Sequence, residues 1–178
     1  MRKFLILLFI LTLAIVSFLM TGCASFFSGS YGNVKIYMKD SPINLEEVDH
    51  VYVTFTDAYA HKIGGPFKKI LQKETTLDLK ELMDNPTLLT NIQLEEGKYT
   101  ELTLTISGAE IVVNGETYSM EVPSQDLKIP CVFEVNGSKS ANILLDFDGK
   151  NSIEVIKAGK SDKYILRPVI IVESISYE

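Results

Sequence analysis

Four aspartates lie at or near the ends of segments in which apolar and polar residues alternate. They are Asp40, Asp57, Asp146 and Asp148. Carboxylate oxygens suit Ca²⁺, which takes about six to eight oxygen ligands in flexible geometry. Aspartates at strand ends also accept hydrogen bonds from turn amides, and no Asp-x-Asp-x-Asp-Gly loop accompanies these four. The sequence therefore leaves two interpretations open, turn-capping carboxylates or a calcium site in a structural scaffold.

Asp146 and Asp148 are two residues apart and would share one face of an extended strand. A glycoside hydrolase uses two carboxyl groups, one as acid and one as base or nucleophile, across the scissile bond. Two carboxylates on the same face of one strand are not necessarily placed on opposite sides of a substrate. A hydrolase that uses this pair is therefore kept as an alternative, and no enzymatic activity is expected.

Tyr37 and Tyr52 occupy polar positions of two alternating segments. They could form an aromatic platform for a sugar ring or a protein partner, although exposed tyrosines also stabilise sheets through cross-strand pairs. The two histidines, His50 and His61, lack partners at zinc-ligand spacing and are expected at the surface or in loops. Cys131 alternates in phase with apolar neighbours, which predicts a small core side chain rather than a reactive thiol.

The N-terminus has the layout of a secretory signal peptide. Arg2 and Lys3 precede an apolar run over residues 4–20, which is followed by Thr21-Gly22-Cys23. Leu19-Met20-Thr21-Gly22-Cys23 resembles the bacterial lipobox, whose cysteine becomes the first mature residue and is acylated by chains such as palmitate. We therefore expect a signal peptide at 1–22, lipid on Cys23 and a domain held outside the cytoplasm on a membrane of the cell envelope. An uncleaved membrane helix and plain secretion are the alternatives.

Removal of residues 1–22 from the 178-residue chain leaves 156, enough for one domain. The formal net charge moves from −6 to −8, because Arg2 and Lys3 leave with the signal. An acidic chain without a basic run argues against nucleic acid as a partner, since the phosphate backbone requires clustered Lys and Arg. We therefore assign residues 23–32 to the lipidated cysteine and a tether, and residues 33–178 to the domain.

Period-two alternation predicts strands along most of the domain. Asn114-Gly115 and Asn136-Gly137 are hairpin signals, and Gly64-Gly65 can turn the chain. One short helix is expected after Asp78 as N-cap, and a nearly continuous apolar run over residues 164–173 predicts a central strand, with a bulge or an edge at its proline. The fold class is therefore all-β, an antiparallel β-sandwich of the immunoglobulin-like or prealbumin-like kind, with an open barrel as the alternative.

Six landmarks in order along the chain are similar to those of the domain of unknown function 4382 family. They are residues 32–42, 51–55, 77–79, 96–102, 144–148 (Leu-Leu-Asp-Phe-Asp) and 166–170 (Leu-Arg-Pro-Val-Ile). The resemblance implies an envelope protein of bacteria or archaea with a β-sandwich, and it implies no catalytic residues. The resulting expectation is an envelope lipoprotein whose non-enzymatic sandwich binds a protein or glycan partner.

Overall fold

The computed structural model describes residues 30–40, 47–83, 85–156 and 162–178. Over these residues the chain is almost entirely β-structure. The strands, numbered in chain order, are β1 (Tyr31–Asp40), β2 (Val48–Lys62), β3 (Phe67–Lys69), β4 (Thr75–Asp78), β5 (Thr87–Glu95), β6 (Gly97–Val113), β7 (Glu116–Ser119), β8 (Asp126–Val135), β9 (Ala141–Phe147), β10 (Ile153–Ile156), β11 (Lys163–Leu166) and β12 (Ile170–Tyr177). The short helices are α1 (Leu79–Leu82) and α2 (Gly149–Ser152).

Two sheets pack into a β-sandwich, which confirms the predicted fold class. The four-stranded sheet has the order β12-β9-β1-β5, and the six-stranded sheet has the order β3-β2-β6-β7, with β4 also paired to β2 and β8 to β6. The alternation places one face of each sheet in a common core. In β1, Val34, Ile36 and Met38 are fully buried, whereas Lys35 and Tyr37 lie on the outer face.

Among the strands of the described residues, one pair is parallel, unlike the antiparallel arrangement that the alternation predicts. β1 and β9 run in the same direction, from Val34 opposite Ala141 to Asp40 opposite Phe147. A parallel pair needs a long crossover connection. Here the crossover contains all strands of the six-stranded sheet and also β5, which returns to the four-stranded sheet.

The longest strands, β2 and β6, pair along almost their whole length. Their register shifts where Ser107 on β6 and Thr56 on β2 are each an extra residue, which is the mark of a β-bulge. A one-residue insertion moves the following side chains to the other face. The buried positions accordingly switch from even to odd numbers after Ile106 and from odd to even after Phe55, and both halves of each strand face the core.

The Asn136-Gly137 turn does not close a hairpin, so that prediction was wrong. The preceding β8 pairs with β6, and the following β9 pairs with β1 and β12, so the turn carries the chain from one sheet to the other. A two-residue type I′ hairpin turn requires positive φ at both central residues. Asn114 and Gly115 have φ of 50° and 80° and do join β6 to β7, whereas Gly137 does not have a positive φ. It donates its N–H to the Glu96 carboxylate.

The predicted central strand over residues 164–173 was also wrong. The run is split into β11, which pairs with β10, and β12, which is the edge of the four-stranded sheet. Pro168 lies in the break and has no N–H for a ladder, so the edge part of the prediction is confirmed. Ile171 is 53% exposed, because it lies on the outer face of the sheet, whereas Ile170 and Val172 pack against the core.

The helical and terminal boundaries also differ from expectation. The helix after Asp78 is present as α1, but a second helix, α2, follows Asp148. Tyr31 and Gly32, assigned to the tether, pair with β5 as the start of β1. The predicted signal peptide at 1–22, Cys23 and residues 24–29 lie outside the described residues. Within the described ranges, no helix has the length and hydropathy needed to span a membrane.

The buried ring pair of Tyr99 and Phe133 provides a test of this core. The two rings stack with centroids 5.0 Å apart, and Phe133 is 2% exposed while the adjacent Val132 is 58% exposed. Phe133→Ala should lower the free energy of unfolding by about 3–5 kcal/mol, because it leaves a cavity. Val132→Ala, the matched control, should change it by less than about 0.5 kcal/mol. Urea unfolding measures both, and equal effects would contradict the described strand orientation.

Candidate functional site

A groove of about 380 Å³ lies on the six-stranded sheet, where β2, β4, β6 and the end of β7 run side by side. Its lining residues are Tyr52, Thr54, Thr76, Gly108, Ala109, Glu110, Ser119 and Met120. The pairing register explains why they meet: Thr54 lies opposite both Thr76 and Gly108, and Glu110 lies opposite both Tyr52 and Ser119. The site is therefore two adjacent cross-strand rows.

Gly108 gives the groove its open floor. A Cβ placed on this residue would meet no atom within 4 Å. The glycine comes directly after the bulged Ser107, and its φ is not in the left-handed region, so the backbone does not require glycine there. A glycine inside a strand often marks a bulge or a place where a ligand approaches closely, and both descriptions suit this position.

The ring of Tyr52 packs against His50, which is itself bound to a buried carboxylate. It stacks on His50 with ring centroids 5.5 Å apart and planes 11° from parallel. His50 Nδ1 in turn lies 2.5 Å from Oδ2 of the buried Asp78. Asp78 Oδ1 accepts the backbone N–H of Val51 and that of Lys80, where it caps α1. Tyr52 is thus connected through His50 to Asp78, the residue that caps α1.

The polar side of the groove combines hydroxyl groups with one carboxylate. The hydroxyls of Thr54 and Thr76 lie 2.9 Å apart and hydrogen bond to each other. Ser119 and the exposed Glu110 extend the row toward β7. Within the part of the chain that the structure describes, no lysine or arginine lines the groove. The described lining therefore offers hydroxyl groups, which donate and accept hydrogen bonds, and one negatively charged group, the Glu110 carboxylate.

The structure does not bring the four candidate metal ligands together. Asp57 lies on β2 and pairs with Lys69 at 2.5 Å. Asp40 and Asp148 lie at the far end of the other sheet, where Asp40 accepts the Gly149 N–H and Asp148 caps α2 by accepting the Asn151 N–H. Asp40 and Asp148 thus accept turn N–H groups, as strand-end aspartates often do, whereas Asp57 lies inside β2 and forms a surface ion pair.

Asp146 lies on the outer face of β9 beside Lys39 of β1. The hydrogen bond from Lys39 to Glu173, together with the Asp146 charge, raises the pKa of Lys39. Asp148 is beyond the end of the strand, so the two carboxylates do not continue one strand face as the hydrolase interpretation requires. In the part of the chain that the structure describes, no group of three or more His, Cys, Asp or Glu side chains could hold a metal ion. The geometry therefore supports neither the calcium site nor the carboxylate pair.

Tyr37 and Tyr52 do not form a common platform. Tyr37 is on the outer face of the four-stranded sheet, opposite Leu88 and Leu144, whereas Tyr52 is on the outer face of the six-stranded sheet. The core lies between them. Polar positions in two alternating segments share a surface only when the segments belong to one sheet, and β1 and β2 do not.

The residues that sequence reasoning missed are Gly108, Glu110, Thr76 and Ser119. The available signal was the switch of apolar positions from even to odd numbers between Ile106 and Ile111, with a glycine at the switch. Such a switch predicts a bulge, and bulges are frequent beside functional sites. His50 and His61 both lie on β2 rather than in loops, and His61 stacks on Phe67.

The family model described as "Domain of unknown function (DUF4382)" matches residues 31–168. The chain belongs to this family. The match includes all residues that line the groove, so the groove lies inside the DUF4382 domain and is not an appendage to it. This confirms the family resemblance of the six sequence landmarks.

Two solved structures are distantly similar to this DUF4382 domain. A proposed cell adhesion protein from Bacteroides eggerthii has 10% identity and a TM-score of 0.33, over 80% of this chain and 57% of that one. A second, from Bacteroides ovatus, has 11% identity and a TM-score of 0.22, over 82% of this chain and 44% of that one. The chain therefore spans about half the length of these structures. Among curated proteins there is no significant match.

The thiol of Cys131 provides a second test of the core, at the end of β6 that lies away from the groove. Burial raises its pKa to about 12, and the thiolate is the reactive form. In a chain where Cys23→Ala leaves Cys131 as the single thiol, the native protein should not react with Ellman's reagent at mildly alkaline pH. The same chain unfolded in urea should react fully. Equal rates in the two conditions would show that the thiol is accessible in the native state.

Proposed function

We propose that this protein is a lipid-anchored, non-enzymatic binding protein of the cell envelope, whose β-sandwich holds a protein or glycan partner in the groove beside Tyr52. The observation that carries the proposal is the groove itself. Its floor is open at Gly108 and its polar rows face solvent, so a ligand could enter without a rearrangement of the sheet. Preorganised sites of this kind bind without a large cost of ordering.

The groove lies far along β6 from the point where the described chain enters the domain. The described chain enters the domain at Ser30, whose carbonyl accepts the N–H of Glu96, directly before the start of β6. Gly108 is eleven residues further along β6, which is about 36 Å in an extended strand. A chain tethered to a membrane through Cys23 would therefore hold the groove at the far end of the sandwich, away from the lipid.

The roles of the acidic residues support a non-enzymatic protein. Among the candidate carboxylates, Asp57 pairs with Lys69, Asp40 accepts the Gly149 N–H, and Asp148 caps α2. The groove holds one carboxylate, Glu110, and its other polar lining side chains are hydroxyls. A binding role needs only these complementary contacts, whereas glycoside hydrolysis by a carboxyl pair needs a second Asp or Glu across the substrate.

The lipid anchor is tested by metabolic labelling with palmitate. Cys23→Ala should abolish the label and leave the signal peptide uncleaved, because the acylated side chain is removed. Cys131→Ala is the matched control, since it removes the buried cysteine and should leave labelling unchanged. A labelled Cys23→Ala chain would contradict the proposed site, and an unlabelled wild type would contradict the lipoprotein assignment.

The groove is tested by filling it. Gly108→Val adds a β-branched side chain to a strand at a position with free space, so folding should be preserved. The lipidated protein, kept in detergent, is incubated with detergent-washed cell walls of the producing organism. Gly108→Val should reduce binding at least about tenfold, a change of about 1.4 kcal/mol. Thr103→Val, on the same face of β6 but outside the groove, should bind as wild type. Equal binding by all three chains would exclude the groove as the contact site.

A further inference from the structure

We infer that the groove beside Tyr52 binds a carbohydrate, in the form of a sugar ring from a glycan that carries no negative charge. This inference rests on the proposed function and narrows it from any envelope partner to one chemical class. The ring of Tyr52 is the stacking surface, and the hydroxyl row and Glu110 are the hydrogen-bonding groups.

The charge of the lining excludes anionic ligands. Glu110 is the single charged residue among the eight that line the groove, and it makes no ion pair or hydrogen bond within the described residues. A phosphate, sulfate or uronic acid would lie beside this carboxylate with no lysine or arginine to neutralise it, which costs free energy. A neutral sugar hydroxyl, or the ammonium group of an amino sugar, can instead donate to Glu110.

The hydrogen-bonding groups of the groove are side chains rather than backbone. The floor strands already pair with each other: β4 with β2, β2 with β6, and β6 with β7. An extended peptide is recognised through the free main-chain groups of a sheet edge, and the ladder leaves few such groups in the middle of this face. Hydroxyls such as those of Thr54, Thr76 and Ser119 can both donate and accept, which matches the hydroxyls of a sugar.

The aromatic side of the groove is rigid before any ligand binds. Tyr52 packs on His50, and His50 is bound to Asp78, whose other oxygen is held by two backbone N–H groups. The face of an aromatic ring carries partial negative charge and attracts the weakly positive C–H groups of a sugar face. Because the ring is already fixed, less conformational entropy is lost on binding than with a mobile side chain.

The size of the groove suits a small ring and does not suit an acyl chain. Its volume of about 380 Å³ lies at the lower end of the range of about 300–1,000 Å³ for small-molecule sites. Polar residues make up most of its walls, whereas a lipid tail would require an apolar channel. The open space above Gly108 admits a ring that lies flat against the sheet.

The test compares two tyrosine variants on cell walls whose proteins have been removed. Detergent-washed walls are digested with protease, and binding of the lipidated full chain in detergent is measured as a dissociation constant. Wild type should bind digested and undigested walls equally. Tyr52→Leu should weaken binding at least about tenfold, a change of about 1.4 kcal/mol. Tyr37→Leu, the same change on the opposite sheet, should leave binding unchanged. Circular dichroism confirms that both variants fold.

Soluble polymers released from the digested walls identify the ligand. They are separated by anion exchange into uncharged and anionic carbohydrate, and the uncharged fraction should compete with the walls for wild type. Competition by the anionic fraction alone would overturn the inference. Loss of binding after protease digestion would also overturn it and assign a protein partner, which leaves the proposed function intact. Absence of any binding to undigested walls would instead overturn the proposed function.

Discussion

The antiparallel pairing of β2 with β6 is the constraint on which the rest of the structure depends. These strands form the centre of the six-stranded sheet, and each also pairs with two further strands along its other edge: β3 and β4 on β2, and β7 and β8 on β6. The pair also lies within the connection between β1 and β9, which are parallel and could not pair without a long crossover. The chain therefore passes through the strands of the six-stranded sheet before β9 can pair with β1 in the four-stranded sheet.

The bulges in this pair link the fold to the groove. A long antiparallel pair without bulges would keep one alternation throughout, and the side chains after Phe55 and Ile106 would then point away from the core. The extra residues Thr56 and Ser107 restore the inward direction. Gly108 directly follows the bulge at Ser107, and because it has no side chain, the surface of the sheet is open there. The core alternation and the open groove thus have the same local origin.

Features that depend on neighbours in the chain could be predicted from the sequence. The alternating strands, the β6–β7 hairpin at Asn114-Gly115 and the Asp78 helix cap were all predicted and are present. Features that depend on which strands meet could not be predicted in this way. The sequence at Asn136-Gly137 is a good turn, but only the tertiary pairing decides that the flanking strands enter different sheets.

The candidate site shows the same division between local and tertiary information. Tyr52 was selected from its polar position and does line the groove, whereas Tyr37, selected by the same argument, lies on the other sheet. Glu110 and Ser119 could not be selected, because their meeting with Tyr52 depends on the register of β2, β6 and β7. Asp146 and Asp148 are neighbours in sequence, but the strand ends between them, so that their spacing no longer fixes a shared face.

The polar and charged groups on the outer face of the six-stranded sheet differ between its two ends. At the end of the sheet near β3, Asp57 and His61 are engaged by Lys69 and Phe67. At the other end, the groove holds hydroxyls and one carboxylate, Glu110, which has no side-chain partner among the described residues, in a chain that is acidic overall. Net negative charge disfavours anionic polymers over the whole surface, and the groove adds local groups that favour neutral hydroxyl-rich ones. The described chain enters the sandwich near Glu96, and the groove lies toward the opposite end of β6.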